Sequence, residues 1–267
     1  MTETHPKTHP KLAAALDWAS LALAPAAYLL AGALVLTLIR ATGADVDSIG
    51  FTCAWDVAIL VAGIAIIRKA SRPPERRKLS DKGQLAVVAF CVAMFFVAQC
   101  AATIVYTLTQ DAAFARYAQT STDAGIAQRM LLTVVLAPMV EEVLFRGIVF
   151  RLVAKHSKLW VAALVSSIAF AATHGTLVHM LPATLMGLTC CAAYVLTGRL
   201  GCSVAVHVAY NAFSIYAPFI PVAQVLFVPL VTIPLAIAMC AVCCLVVRDK
   251  DKWQERLCHP KNDVAEA

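Results

Sequence analysis

The sequence predicts an all-α fold, a polytopic transmembrane bundle of about eight helices forming one integral membrane domain over residues 1–267. Three observations predict it. Of the 267 residues, 61% are apolar and 14% charged, whereas a soluble domain averages roughly 45–50% and about 25%. So few polar residues cannot cover a surface facing water, and the surrounding solvent is therefore lipid. Eight apolar runs also approach the roughly 20 residues that cross a bilayer. Finally, the basic residues gather in alternate connections between those runs.

The predicted spans are Leu12–Ile39, Cys53–Ile67, Leu85–Leu108, Met130–Val153, Leu159–Ala172, Leu181–Leu196, Cys202–Tyr216 and Val222–Val247. The first exceeds the apolar core of a signal peptide and reads as an uncleaved span. With the N-terminus inside, 18 of the 22 basic residues fall on the cytoplasmic side. They lie in the N-terminal segment, the tract 68–82, the stretch 151–158, Arg199 and the C-terminal tail. That bias supports eight spans with both termini in the cytoplasm, in what the compact build suggests is a bacterial cytoplasmic membrane. Pro73-Pro74 makes the Arg68–Lys82 tract a loop, placed to meet anionic lipid.

The net charge of +6 does not mark a nucleic-acid partner, because the basic residues are dispersed between apolar runs. Nine of the ten cysteines lie in or beside those runs, where cysteine acts as a small hydrophobe. Cys240 and Cys243 form a CxxC, but no second ligand pair accompanies it, so it does not read as a metal centre.

Charges are costly inside a bilayer, about 2.5–3.5 kcal/mol each on insertion scales, so those that persist point to function. The fourth span carries Pro138, Glu141, Glu142 and Arg146, the fifth Phe170 and His174, and the seventh His207 and Asn211. Glu142 and Arg146 are four apart and meet on one helix face, which keeps that carboxylate ionised. Glu141 is turned about 100° away and lacks a partner in its own helix, which frees it to exchange a proton near neutral pH. Glu142 is therefore expected to brace Arg146 and Glu141 to do chemistry, so Glu142→Gln should be milder than Glu141→Gln. Pro138 is expected to kink the helix beside them. His207 and Asn211 share a face, and modest helix tilts bring both to the depth of Glu141 and His174. Asp17 and Asp56 read as carboxylates near span ends that reach the interface, and His179 as a loop residue at the outer face.

At these residues the chain resembles the CAAX-processing and bacteriocin-processing (CPBP, or Abi) membrane proteases. Their signatures EExxxR, FxxxH and HxxxN/D are matched in order by Glu141-Glu142…Arg146, Phe170…His174 and His207…Asn211. A Thr197-Gly198-Arg199-Leu200 turn precedes the last of them. The resemblance covers residues 130–213, the expected catalytic core. It implies a CAAX-protease-like helical fold that cleaves a peptide or protein substrate in or at the membrane, from a lipidated or peptide precursor. By the same resemblance Glu141 and His174 activate water, His207 and Asn211 stabilise the oxyanion, and Glu142, Arg146 and Phe170 support the site. The family is often labelled metalloprotease, and zinc on Glu141, His174 and His207 would be the corresponding ligand set. The HExxH helix is absent, which favours metal-free hydrolysis with no cofactor.

Three rivals carry less. Gly201-Cys202-Ser203 resembles the glycine–x–serine of rhomboid-like proteases, but a nucleophile and base on one helix have little freedom to align. A bacteriocin immunity protein would act by binding alone. A transporter would use the polar cluster as an ion path, yet no inverted repeat or pair of broken helices is evident.

Overall fold

A chain surrounded by lipid must satisfy its backbone hydrogen bonds within itself, and helices do this segment by segment. The computed structural model describes residues 49–70, 81–113, 130–216 and 228–246, with positions 34, 37 and 41 in addition. Among them the regular elements are seven helices, and no strand occurs. They are α1 (Ile49–Ala70), α2 (Asp81–Thr109), α3, α4 (Leu159–Ala172), α5 (Leu177–Thr197), α6 (Leu200–Tyr216) and α7 (Pro229–Val246). Helix α3 runs through four joined pieces, Met130–Leu136, Ala137–Glu142, Val143–Phe150 and Arg151–His156. The predicted span Leu12–Ile39 and both tails lie outside the described residues, apart from single positions.

The stretch of α2 from Gly83 to Thr109 and the whole of α5 are each long and apolar enough to cross a membrane. Shorter apolar helical stretches cover Trp55–Ala65, Leu159–Ala172 and Leu200–Ile215. Large apolar side chains such as Leu85, Leu108, Trp160, Leu177 and Leu230 project outward. A water-soluble surface rarely gathers so many. The chain is an integral membrane protein.

Helices run past the predicted boundaries where the flanking residues tolerate helix. The tract 68–82 is therefore not all loop, because α1 continues to Ala70 and α2 begins at Asp81. Helix α1 starts four residues before the predicted span. Asp56 thus lies two turns inside the helix and is buried, rather than reaching the interface. His179 likewise belongs to the first turn of α5, with Nδ1 3.1 Å from Thr176 Oγ1.

Pro138 shapes α3. The stretch Met130–Leu136 is π-helical, a pattern in which each carbonyl pairs with the N–H five residues on. Thr133 would then bond residue 138, but proline has no N–H. Asn211 from α6 supplies the missing donor, its Nδ2 lying 2.8 Å from Thr133 O. A second π-helical stretch, Val143–Phe150, follows the glutamates and is buried throughout. Such widened turns are frequent at functional sites.

Helix α3 packs on α1, α4 and α6, while α2 packs on α5 and α7. Glycine brings α1 and α3 together: a Cβ on Gly63 would meet Val143 Cγ1 at 2.5 Å, and one on Gly147 would strike Ile67. Gly198 closes α5 in the left-handed conformation at φ 66°, its N–H bonding Tyr194 O at 2.8 Å. That turn returns α6 along α5, as the Thr197–Leu200 motif leads one to expect. The apolar core beneath the polar cluster includes Phe145, Val149, Phe170, Met186 and Cys190.

Candidate active site

The π-helical turns of α3 and the α5–α6 hairpin bring three charged or titratable side chains into one buried network. Glu142 and Arg146 are both 0% exposed and joined by Arg146 Nη1 to Glu142 Oε1 at 2.8 Å. Arg146 Nη2 donates to Gly187 O at 2.9 Å, and its guanidinium lies 4.9 Å from the centre of the Phe170 ring. Only Nε of Arg146 is left without a partner among the buried side-chain nitrogens and oxygens of the described residues.

His207 completes the network. Its Nδ1 is 2.9 Å from Glu142 Oε1. An ionised carboxylate only accepts, so the imidazole hydrogen at this bond sits on Nδ1. Nε2 then points to Glu141 Oε2 at 3.5 Å. The two neighbouring glutamates flank one imidazole, and they differ in exposure. The Glu142 side chain is 0% exposed and that of Glu141 24%, so Glu141 is the one a substrate or water can reach.

Phe170 is the hub of the aromatic contacts. Its ring meets Phe145, His174 and His207 edge-on, with centroids 5.4, 4.7 and 5.6 Å away. His174 sits in the turn just beyond α4, its Nδ1 3.1 Å from Phe170 O, and its Nε2 has no hydrogen-bond partner among the described residues. The structure therefore links Glu141, Glu142, Arg146, Phe170 and His207 in one connected cluster. His174 joins them through Phe170, and Asn211 lies one turn along α6 with its amide on Thr133 O.

The family described as type II CAAX prenyl endopeptidase, Rce1-like, matches residues 123–213, the segment that holds all of these side chains. A Bacillus subtilis (strain 168) protein named "Putative membrane peptidase YdiL" is 27% identical over 172 residues, covering 62% of this chain and 70% of that protein. Over residues 123–213 the chain is similar to the CAAX-type membrane proteases. No solved structure matches it.

A protease of this kind hydrolyses peptide bonds, and two features of the site were not evident from sequence. Ser203, discounted as a nucleophile, is 0% exposed and bonds Glu142 Oε2. A Ser203–His207–Asn211 spacing of four puts all three on one face of α6, which was the available signal. Asp56, the buried carboxylate of α1, lies within electrostatic reach of Glu141. A cavity of about 560 Å³ opens on a different face of α6, between α2, α5 and α6, lined by apolar groups such as Phe95, Met186 and Phe213.

The set that zinc would take by resemblance, Glu141, His174 and His207, is not among the close ligand groups of the described residues. Among the described residues, the groups whose ligand atoms lie within 4.8 Å of one another are Glu142, Cys190 and His207, not Glu141, His174 and His207. That alternative set fits an ion poorly, since Glu142 Oε1 already faces the Arg146 guanidinium. A divalent cation there would be repelled at close range in a buried setting.

Gly187 lets α5 approach α4 and accept from Arg146. A Cβ at this position would sit 2.8 Å from Ser167 Cβ and 3.1 Å from Arg146 Nη2. Gly187→Ala is expected to destabilise the protease by about 1–3 kcal/mol through overpacking. It should also lower activity by displacing the guanidinium, and thermal unfolding in detergent alongside a turnover assay checks both effects.

Proposed function

We propose that this protease is an intramembrane endopeptidase in which Glu141 activates water, with its substrate a membrane-associated, lipidated or peptide precursor. The observation that carries the reading is the Glu141–His207–Glu142 arrangement, a reachable carboxylate facing the bare nitrogen of an imidazole whose other nitrogen is anchored. Glu141 takes a proton from water as the hydroxyl adds to the scissile carbonyl. His207 Nε2 stands ready to share that proton, and Glu142 stabilises the imidazolium that results, as an anchoring carboxylate does in a hydrolytic triad. His174, with Nε2 free, relays a proton to the leaving amine. The second N–H of the Asn211 amide is available to the oxyanion, where one donor is typically worth about 3–4 kcal/mol.

In this reading the chain spans the membrane eight times with both termini in the cytoplasm. The basic residues that support this are partly outside the described segments. Hydrolysis is metal-free, supported by the poor fit of either candidate ligand set.

The test is cleavage in 18O-labelled water by membranes containing the protein, read by mass spectrometry of released peptides. One labelled oxygen is expected in each new carboxyl terminus, in amounts unaffected by a strong chelator. Absence of labelled termini overturns the hydrolase reading. Loss on chelation that added zinc restores overturns the metal-free mechanism.

A further inference from the structure

Glu142 accepts three hydrogen bonds, and the third comes from a residue outside the EExxxR, FxxxH and HxxxN signatures. Arg146 and His207 both approach Oε1, at 2.8 and 2.9 Å, which leaves Oε2 to Ser203. Ser203 Oγ is also 2.9 Å from Cys190 O, a second acceptor that shares its single hydrogen with Oε2, and Cys190 Sγ lies 3.7 Å from Ser203 O. The hydroxyl is thus pinned between the α5–α6 hairpin and the carboxylate, one helical turn before His207.

We infer that Ser203 is a positioning residue: its hydroxyl fixes the rotation of the Glu142 carboxylate so that Oε1 holds His207 with its hydrogen on Nδ1 and Nε2 open towards Glu141. The reasoning is geometric. The terminal torsion of a carboxylate is broad and roughly two-fold, so bonds at both oxygens fix its rotation more tightly than bonds at one. Arg146 and His207 both bind Oε1, and Ser203 is the partner that binds Oε2. Without Ser203, Oε2 has no other partner among the described residues, and a buried acceptor in that condition turns towards any donor within reach. Rotation of Glu142 would loosen the bond to Nδ1 and allow the other imidazole tautomer, with Nε2 carrying the hydrogen and no longer able to accept. His207 has further neighbours in Glu141 and the Phe170 ring, but neither touches Nδ1. The position of Ser203 also explains why the serine does not serve as a nucleophile: its oxygen is buried against Glu142 and Cys190 O, and no described contact joins it to an imidazole nitrogen.

The purpose of the tautomer rests on the protease reading, whereas the tautomer itself does not. The experiment uses the full chain in lipid nanodiscs with 15N-labelled histidine, His207→Gln serving to assign the His207 signals. Wild type is expected to show the Nδ1–H form. Ser203→Ala should show a mixture of both tautomers and yield about ten-fold less labelled carboxyl terminus in the 18O assay, with the unfolding temperature lowered by a few degrees. Ser203→Thr, which retains the hydroxyl, should restore the single tautomer. The inference is overturned if Ser203→Ala keeps the wild-type tautomer, if Ala and Thr behave alike, or if the Ala variant fails to fold while Thr folds, which marks a structural role. Complete loss of cleavage together with covalent labelling of Ser203 by a fluorophosphonate makes the serine a nucleophile and also overturns it. If wild type yields no labelled termini but the tautomer shift occurs, the protease reading fails and the positioning role stands.

Discussion

Glu141→Gln is expected to lower hydrolysis by about 10²–10⁴-fold, the usual worth of a positioned general base, while leaving the unfolding temperature nearly unchanged. The substitution preserves volume, so packing is not disturbed. It removes only the ability to take a proton. Its side chain is 24% exposed and it meets the network at the 3.5 Å approach to His207 Nε2, so little of the buried network depends on its charge. The new amide would also donate to Nε2 of His207 and occupy the nitrogen that the mechanism needs free. The comparison separates the rival classes named from sequence. A protein acting by binding alone keeps its protective effect with this variant, and a transporter loses coupled uptake rather than cleavage. Labelled termini at the wild-type rate from Glu141→Gln would remove Glu141 from the chemistry.

Much of this site is legible in the sequence, because helical spacing converts sequence distance into direction. The four-residue separation of Glu142 and Arg146 put them on one face, and they meet there. What the spacing could not give was contact between helices. Glu142 was expected to serve Arg146 alone, but α6 crosses α3 where Ser203 and His207 reach the same carboxylate. The role of Asn211 shows the same limit. Pro138 signalled an irregular helix, but that the orphaned Thr133 carbonyl would be met by a side chain 78 residues away depended on the register of α6 against α3. Asp56 was misplaced for a different reason. Apolar runs were cut at the first polar residue, whereas Ile49–Phe51 continue the helix and carry Asp56 inwards. Residue type alone offers Glu141, His174 and His207 as a conditional zinc set, and spacing does not show that His174 Nδ1 lies against Phe170 O.

Those interhelical contacts make the second large effect a loss of stability rather than of chemistry alone. Glu142→Gln is expected to destabilise the protease by about 3–5 kcal/mol, the cost of breaking a buried ion pair from one side. Arg146 is 0% exposed and cannot lose its proton, so the variant leaves a cation with no counter-charge among its contacts. Activity should fall as well, since His207 loses the charge that holds its tautomer and stabilises its protonated form. The milder effect expected from spacing alone, with Glu142 serving only Arg146, is thereby replaced. A double-variant cycle isolates the cause. If the unpaired cation is responsible, adding Arg146→Met to Glu142→Gln should recover part of the lost stability, because a buried pair replaced by neutral groups is often tolerated. Cleavage should stay low in the double variant, since the His207 anchor is still missing. A single Glu142→Gln variant that unfolds at the wild-type temperature would show that the Arg146 charge is compensated elsewhere, and the ion pair would lose its place as the structural centre of the site.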